Sequence, residues 1–160
     1  MAPLGKLFRG FVFAFQGIGR SVITQQNLRI HLVAAVVVGF FGVLARLSAI
    51  HWCIVCLCCM LVISLELINT GLEALCDRVE PKRDDRIRTA KDSAAGAVLV
   101  SAAGSLLIAG LILFGDTPYY RNIAETLQTH PWVCRCIPLG ILAAILFVFL
   151  PTELQLRKRK

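Results

Sequence analysis

The sequence predicts an all-α, polytopic membrane helix bundle, with an N-terminal amphipathic surface helix and four transmembrane helices. Three observations lead to that fold class. Of the 160 residues, 57% are hydrophobic and 17% charged, against about 45–50% and about 25% in an ordinary soluble domain. The apolar excess is gathered into runs free of charge between Arg29 and Arg46, Arg46 and Glu66, Asp92 and Asp116, and Arg135 and Glu153. These runs hold 16, 19, 23 and 17 residues, near the ~20 that a hydrocarbon layer of about 30 Å requires. The basic residues also alternate along the chain: 14 of the 17 lie before the first run, between the second and third, or after the fourth. That alternation is the pattern of a four-span protein with both termini cytoplasmic. The net charge of +7 therefore reports topology, and no nucleic-acid partner is expected. Four spans use about half the chain and leave no room for a separate soluble catalytic domain.

The first element is a surface helix over about 4–22. Leu4, Phe8, Phe11, Phe15, Ile18 and Val22 step by four and three, which draws an apolar stripe along one helical face. Lys6, Arg9 and Arg20 lie largely elsewhere, so the helix is expected to rest on the cytoplasmic leaflet, where basic residues attract anionic lipid. The stripe is periodic, not a continuous apolar run, and no cleavable signal is expected. The first three spans are expected at about 29–48, 51–76 and 91–114, which with the surface helix make one unit over 1–115. A second unit over 116–160 holds an extracytoplasmic connection, a fourth span at about 132–151 with Pro138 inside it, and the basic tail Arg157–Lys160. The third span carries small residues four apart, Ser93, Ala97, Ser101, Ser105 and Ala109, the spacing that lets helices approach closely in lipid. The whole is placed as a multi-pass membrane protein with both termini cytoplasmic.

Seven cysteines invite a metal or disulfide framework. Cys53, Cys56, Cys58 and Cys59 crowd a single helical run and Cys134 and Cys136 begin another, so a tetrahedral site would lack opposing ligands. They are read as small apolar packing residues. Asp84-Asp85 is read as a solvated loop, because the Arg86-Ile87-Arg88 that follows supplies no second acidic pair.

The chemistry lies in Glu66-Leu-Ile-Asn69-Thr70-Gly71-Leu72-Glu73-Ala-Leu-Cys76-Asp77, which continues the second run without a proline. At about 100° per residue, Asn69, Glu73 and Asp77 fall within about 80° of one another, with Glu66 aligned among them. An acid in a membrane helix costs about 2–3 kcal/mol or more unless it is paired or wet. Pairing with Arg29 or Lys91 in the bundle explains one acid better than three on one stripe. Gln25, Asn27 and Arg29 precede the first span, and Lys91 and Asp92 open the third, on the same side by the charge pattern. Carboxylates that can hold Mg²⁺ thus meet cations that can neutralise phosphate, on the side of the membrane that supplies ATP. None of the common nucleotide-binding motifs, Walker or dinucleotide or protein-kinase, is present.

Glu66 to Asp77 resembles the signature of the prokaryotic diacylglycerol kinase and undecaprenol kinase family, E-x-[LIVM]-N-[ST]-[SA]-[LIV]-E-x-x-V-D. It agrees at Glu66, Asn69, Thr70, Leu72, Glu73 and Asp77 and departs at Gly71 and Cys76. Lys91-Asp92-Ser-Ala-Ala-Gly-Ala-Val-Leu resembles the second motif, and Asn27-Leu28-Arg29-Ile30-His31 the segment entering the first span, nearer the undecaprenol branch. The resemblance covers roughly residues 5–114. It implies a homotrimeric membrane enzyme with sites shared between subunits, which moves the γ-phosphoryl group of ATP onto a lipid hydroxyl with Mg²⁺. The acceptor is a membrane lipid alcohol, either diacylglycerol or undecaprenol. In that family's terms Glu66 would be the general base, with Asn69, Arg29 and Ala95 toward the lipid. Glu73 would hold Mg²⁺, and Lys6, Gln25, Asp77, Lys91 and Asp92 would attend the nucleotide. Gln25 stands where the family often has a second acidic metal ligand, and Lys82-Arg83-Asp84 replaces its Glu-Tyr-His. Ala95 agrees with the undecaprenol branch, where the diacylglycerol branch has Ser. The fourth span lies beyond the family core. Two other readings compete: a weak or inactive member that serves as a membrane assembly subunit, and an ion or proton pathway along the intramembrane acids.

Overall fold

The computed structural model describes residues 3–79, 84–115 and 119–149. Within them all regular structure is helical, in the order α1 (Pro3–Thr24), α2 (Gln26–Ala45), α3 (Ala49–Val79), α4 (Asp85–Phe114), α5 (Tyr119–Thr129) and α6 (Pro131–Phe149). Helices α2, α3, α4 and α6 are each long and apolar enough to cross a membrane. Lys82, Arg83, Glu153 and the basic tail lie outside the described residues.

Helix α1 keeps the amphipathic character that its sequence predicts. Phe8, Phe11 and Phe15 stay exposed, so the apolar stripe finds no partner within the chain, as a helix lying on lipid requires. Its C-terminal end approaches α2 and α3, and the chain turns at Gln25, whose backbone is extended (φ −110°, ψ 117°).

Helices α3 and α4 hold 31 and 30 residues, about 46 and 45 Å of helix, against a hydrocarbon layer of about 30 Å. Helix α4 begins upstream of the expected span because Asp84 caps it. One carboxylate oxygen of Asp84 accepts from Arg86 N at 2.7 Å and from Ile87 N at 3.2 Å, and satisfies two of the orphan donors of a helix start. Asp84 thus has a definite structural task in place of the free solvation expected for it. The two long helices pack along one another, α2 packs on the other flank of α3, and α2 and α4 do not meet.

The hairpin between α2 and α3 is tight. Arg46 adopts a left-handed conformation (φ 56°, ψ 50°), and Arg46 N and Leu47 N donate back to Val43 O (3.0 Å) and Gly42 O (3.2 Å). Gly42 permits this closure: a Cβ there would come within 2.9 Å of the Trp52 ring.

Helix α5 gives the expected connection between the third and fourth spans a regular structure over Tyr119–Thr129. Asn122 Nδ2 donates to Ala45 O at 2.8 Å and Thr126 Oγ1 to Leu44 O at 3.3 Å, which satisfies carbonyls left open by the last turn of α2. Tyr119, buried, brings its hydroxyl within 3.0 Å of His51 Nδ1, the atom that Ser48 Oγ approaches at 2.8 Å. Helix α5 is thus a polar clasp over the hairpin, with polar rather than apolar residues at the helical spacing. Helix α6 returns along α2 and touches α5, but neither α3 nor α4.

Replacing Asn122 with Ala leaves the carbonyl of Ala45, a residue 1% exposed, without its donor. Loss of a buried partner of this kind costs about 1–3 kcal/mol. The expected outcome is a lower unfolding midpoint in detergent micelles, with no change in helix content by circular dichroism at 25 °C.

Candidate active site

The expected acidic stripe forms on α3, and its members occupy different environments. Glu66 and Asn69 are 3% and 5% exposed, Glu73 is half-buried and Asp77 is exposed. Asn69 Nδ2 donates to Glu73 Oε1 at 3.2 Å, the i,i+4 contact that helical spacing allows. Asn69 Oδ1 is buried and accepts no hydrogen bond among the described residues. A buried acceptor without a partner is destabilising by about 1–3 kcal/mol.

Asp77 is the acid explained by pairing. Its Oδ1 accepts from Lys91 Nζ at 2.7 Å and ties the end of α3 to the start of α4. Asp92 pairs with Arg88 at 3.6 Å, where both side chains are more than two-thirds exposed, and such pairs contribute about 0–1 kcal/mol. No cation pairs with Glu66 or Glu73 among the described residues. His31 and Glu73 are titratable neighbours of Glu66.

Of the remaining expected site residues, Arg29 is buried, 4% exposed, in the first turn of α2. Gln25 is half-buried at the N-cap of α2 and its side chain makes no capping bond. No hydrogen bond joins Gln25 to Glu73 within the described residues. Lys6 and Ala95 are exposed, on α1 and α4. His31 was not among the expected site residues, yet the fold sets it near Glu66. A histidine two residues into an apolar run is the signal that could have found it.

His31 also lines one end of an apolar groove of about 210 Å³ between α2, α3 and α4. Cys58 and Cys59 are in its wall and Cys76 is buried, but Cys53, Cys56, Cys134 and Cys136 are exposed. The packing role expected of all seven therefore fails for those four within one chain. Among the described residues no three His, Cys, Asp or Glu side chains gather as a metal cluster. Ser105 and Ala109 of the small-residue stripe face the groove, while Ser93 and Ala97 are exposed. Within the chain the stripe thus borders an opening instead of seating a helix.

Helix α3 thus carries a buried acid with no cationic partner among the described residues, Glu66, and an amide with one unmet acceptor, Asn69. The family model of prokaryotic diacylglycerol kinases matches residues 12–113, and the chain belongs to this family of lipid kinases. It is 40% identical over 111 residues to the undecaprenol kinase of Bacillus subtilis, a match covering 69% of this chain and 89% of that one. It is 37% identical over 108 residues to the diacylglycerol kinase of Synechocystis, covering 67% of this chain and 62% of that one. The chain thus spans less than two thirds of the cyanobacterial relative. No solved structure matches the chain significantly. The matched region leaves α5 and α6 outside the family core.

The buried amide supplies a test of purpose. In Asn69→Leu the unpaired acceptor is replaced by an apolar group of similar volume, so the variant is expected to unfold no earlier than the wild type. Any loss of activity in it then comes from the site. Thermal unfolding and phosphoryl transfer measured on the same preparation check both halves.

Proposed function

We propose that the chain phosphorylates the hydroxyl of a membrane lipid alcohol, diacylglycerol or undecaprenol, using ATP at the cytoplasmic surface of a bacterial inner membrane, with both termini cytoplasmic. The observation that carries this reading is Glu66, a carboxylate 3% exposed with no cationic partner among the described residues, one helical turn from Asn69. A base for an alcohol must meet the hydroxyl where the lipid's polar end lies, at the edge of the hydrocarbon. Glu66 takes the proton as the acceptor oxygen bonds to the γ-phosphorus, and the bond from that phosphorus to the bridging oxygen breaks, releasing ADP. Phosphoryl transfer of this kind rests mainly on positioning and charge neutralisation, for which a sparse set of side chains suffices.

Glu73 and Asn69 Oδ1 provide adjacent oxygen donors, one anionic and one a buried acceptor without a partner. That donor set suits Mg²⁺, which prefers oxygen and takes one or two protein ligands together with phosphate oxygens. When bound, the ion would neutralise charge on the phosphates. Gln25, whose side chain is not used in capping, could add a neutral oxygen. Asp77, Lys91 and Asp92 border the phosphate and nucleotide region, with Lys6 contributed from α1. Arg29, Ala95 and Asn69 flank the acceptor. The exposure of Lys6 and Ala95 in one chain supports a site completed between subunits of a homotrimer. Exposed Phe8, Phe11 and Phe15 with the bases of α1 hold that helix on anionic lipid. The kinase core comprises residues 1–115, and 116–160 is an appended unit.

Transfer of labelled γ-phosphate from Mg-ATP to diacylglycerol and undecaprenol, measured side by side in lipid, tests the function. Labelling of one acceptor is expected, and Glu66→Gln should lower kcat about 10²–10⁴-fold, the usual contribution of a general base. A folded wild-type protein that labels neither acceptor turns the reading toward a non-catalytic assembly subunit. Gln25→Glu adds a charged oxygen donor, and a lower half-saturating Mg²⁺ concentration is the expected result of a metal titration of activity.

A further inference from the structure

A second polar cluster lies at the far end of α3 from the acidic stripe, with His51 about 39 Å of helix rise from Asp77. Ser48 Oγ stands 2.8 Å from His51 Nδ1, and Tyr119 Oη stands 3.0 Å from the same atom. The two hydroxyl oxygens also accept backbone protons over longer distances, Tyr119 Oη from Ser48 N at 3.4 Å and Ser48 Oγ from His51 N at 3.5 Å. Tyr119 is the first residue of α5, so this cluster fastens α5 to the start of α3. The matched family region ends at residue 113, and the fastening is made with a helix beyond it.

Counting protons assigns the role of Nδ1. Each hydroxyl has one proton to donate, and Nδ1 is the acceptor that both reach. With Nδ1 unprotonated, both hydroxyls turn toward its lone pair while both oxygens keep their backbone donors. With Nδ1 protonated, the ring donates to one of the two oxygens, and both hydroxyl protons lose that acceptor. No carboxylate pairs with His51 among the described residues. From α5 the ring faces the Tyr119 phenol, steeply inclined to it at 5.3 Å between centroids. Arg121 and Glu125 lie about 160° and 120° around α5 from Tyr119, and both are exposed. The hairpin adds Arg46, exposed, and α3 the exposed thiol of Cys53. Neither α2 beyond His31 nor α4 beyond Asp92 carries an ionisable side chain. His130 and Arg135 belong to the start of α6, which does not meet α3, and Asp116 lies outside the described residues.

We propose that His51 is an acid-sensitive latch between α5 and the α2–α3 hairpin, holding α5 through Tyr119 when the ring is neutral and releasing it when the ring is protonated. Imidazoles change charge between about pH 5 and pH 8. The two hydroxyl bonds belong to the neutral ring, so the latch is complete at the upper end of that range and is lost as the pH falls through it. Asn122 and Thr126 lie on the same side of α5 as Tyr119, and their bonds to Ala45 O and Leu44 O loosen with it. On the topology proposed above, this end of the bundle faces away from the cytoplasm, where pH follows the surrounding medium. The latch itself does not depend on which side that end faces.

Hydrogen–deuterium exchange of the full chain in detergent micelles reads the latch, with rates corrected for the intrinsic pH dependence of exchange. From about pH 8 to about pH 5, the protection of amides in residues 119–129 is expected to fall about tenfold, the worth of one or two hydrogen bonds. The middle of α3 and of α4 should be unchanged. His51→Asn keeps an acceptor oxygen near the place of Nδ1 and does not titrate, so its protection is expected to be the same at both pH values. Tyr119→Phe removes the shared hydroxyl and is expected to lower protection at the higher pH and flatten the response. A wild-type response that is absent, that is retained in His51→Asn, or that runs the other way overturns the proposal. The last outcome would mean that the Tyr119 ring favours the imidazolium. A second measurement needs no variant: nitrogen-15 shifts of the His51 ring are expected to show Nδ1 unprotonated at about pH 8, and a proton on Nδ1 there overturns the proposal as well. Neither measurement uses phosphoryl transfer, so the latch and the kinase reading fail separately.

Discussion

The length by which α3 and α4 exceed the hydrocarbon is the constraint on which the rest of the molecule depends. About 46 and 45 Å of helix in a layer of about 30 Å leave some 15 Å of each outside it. Both surpluses fall at one end, because Asp77 near the end of α3 is bonded to Lys91 near the start of α4. In an antiparallel pair, that bond marks the register, which the packing of the two helices sets. On the kinase reading proposed above, Glu73 and Asp77 are hydrated and Glu66 lies at the boundary between water and hydrocarbon, where an acid can be retained.

Polar groups in this bundle fall into two kinds. Those distant from the acidic stripe are satisfied: Asn122 and Thr126 cover carbonyls of α2, Asp84 caps α4, and the hydroxyls of Ser101 and Ser105 bond within α4. On the stripe Asp77 is paired with Lys91, while Asn69 Oδ1 is buried without a donor among the described residues. That acceptor is unmet capacity at a point where phosphates or a metal would supply a partner. The stabilising clasp sits at the other end of the bundle, where α5 holds the α2–α3 hairpin. Rigidity at one end and unmet polar capacity at the other form a division of labour along the membrane normal.

The separation of α2 from α4 has a related origin. Helix α3 uses one flank for each neighbour, and the alanines and serines of the two outer helices do not meet across the gap. Association in lipid is driven by packing and not by expulsion of water from apolar surface, so nothing compels such a gap to close. An apolar opening that would collapse in a soluble protein can persist here, filled by lipid chains or by substrate.

The four apolar helices, the amphipathic first helix and the acidic stripe were legible in the sequence, because each depends on local chemistry: run length, periodicity and the cost of a charge in hydrocarbon. The register of Glu66, Asn69, Glu73 and Asp77 on one face followed from helical spacing alone. Burial was not legible, and it separates these four residues, since Asp77 is paired and wet while Asn69 is shut in with an unmet acceptor. Helix α5 escaped notice because its contacts are hydrogen bonds to the far end of α2, some 77 residues away in sequence, and an apolar pattern carries no record of them. His31 and the groove depend on the distance between two helices that touch only a third. The sequence alone determined which segments enter the membrane and which face of α3 carries chemistry, because transfer energies act residue by residue. Tertiary structure decided which acid stays unpaired and where the bundle remains open, because both depend on how far the helices slide and separate.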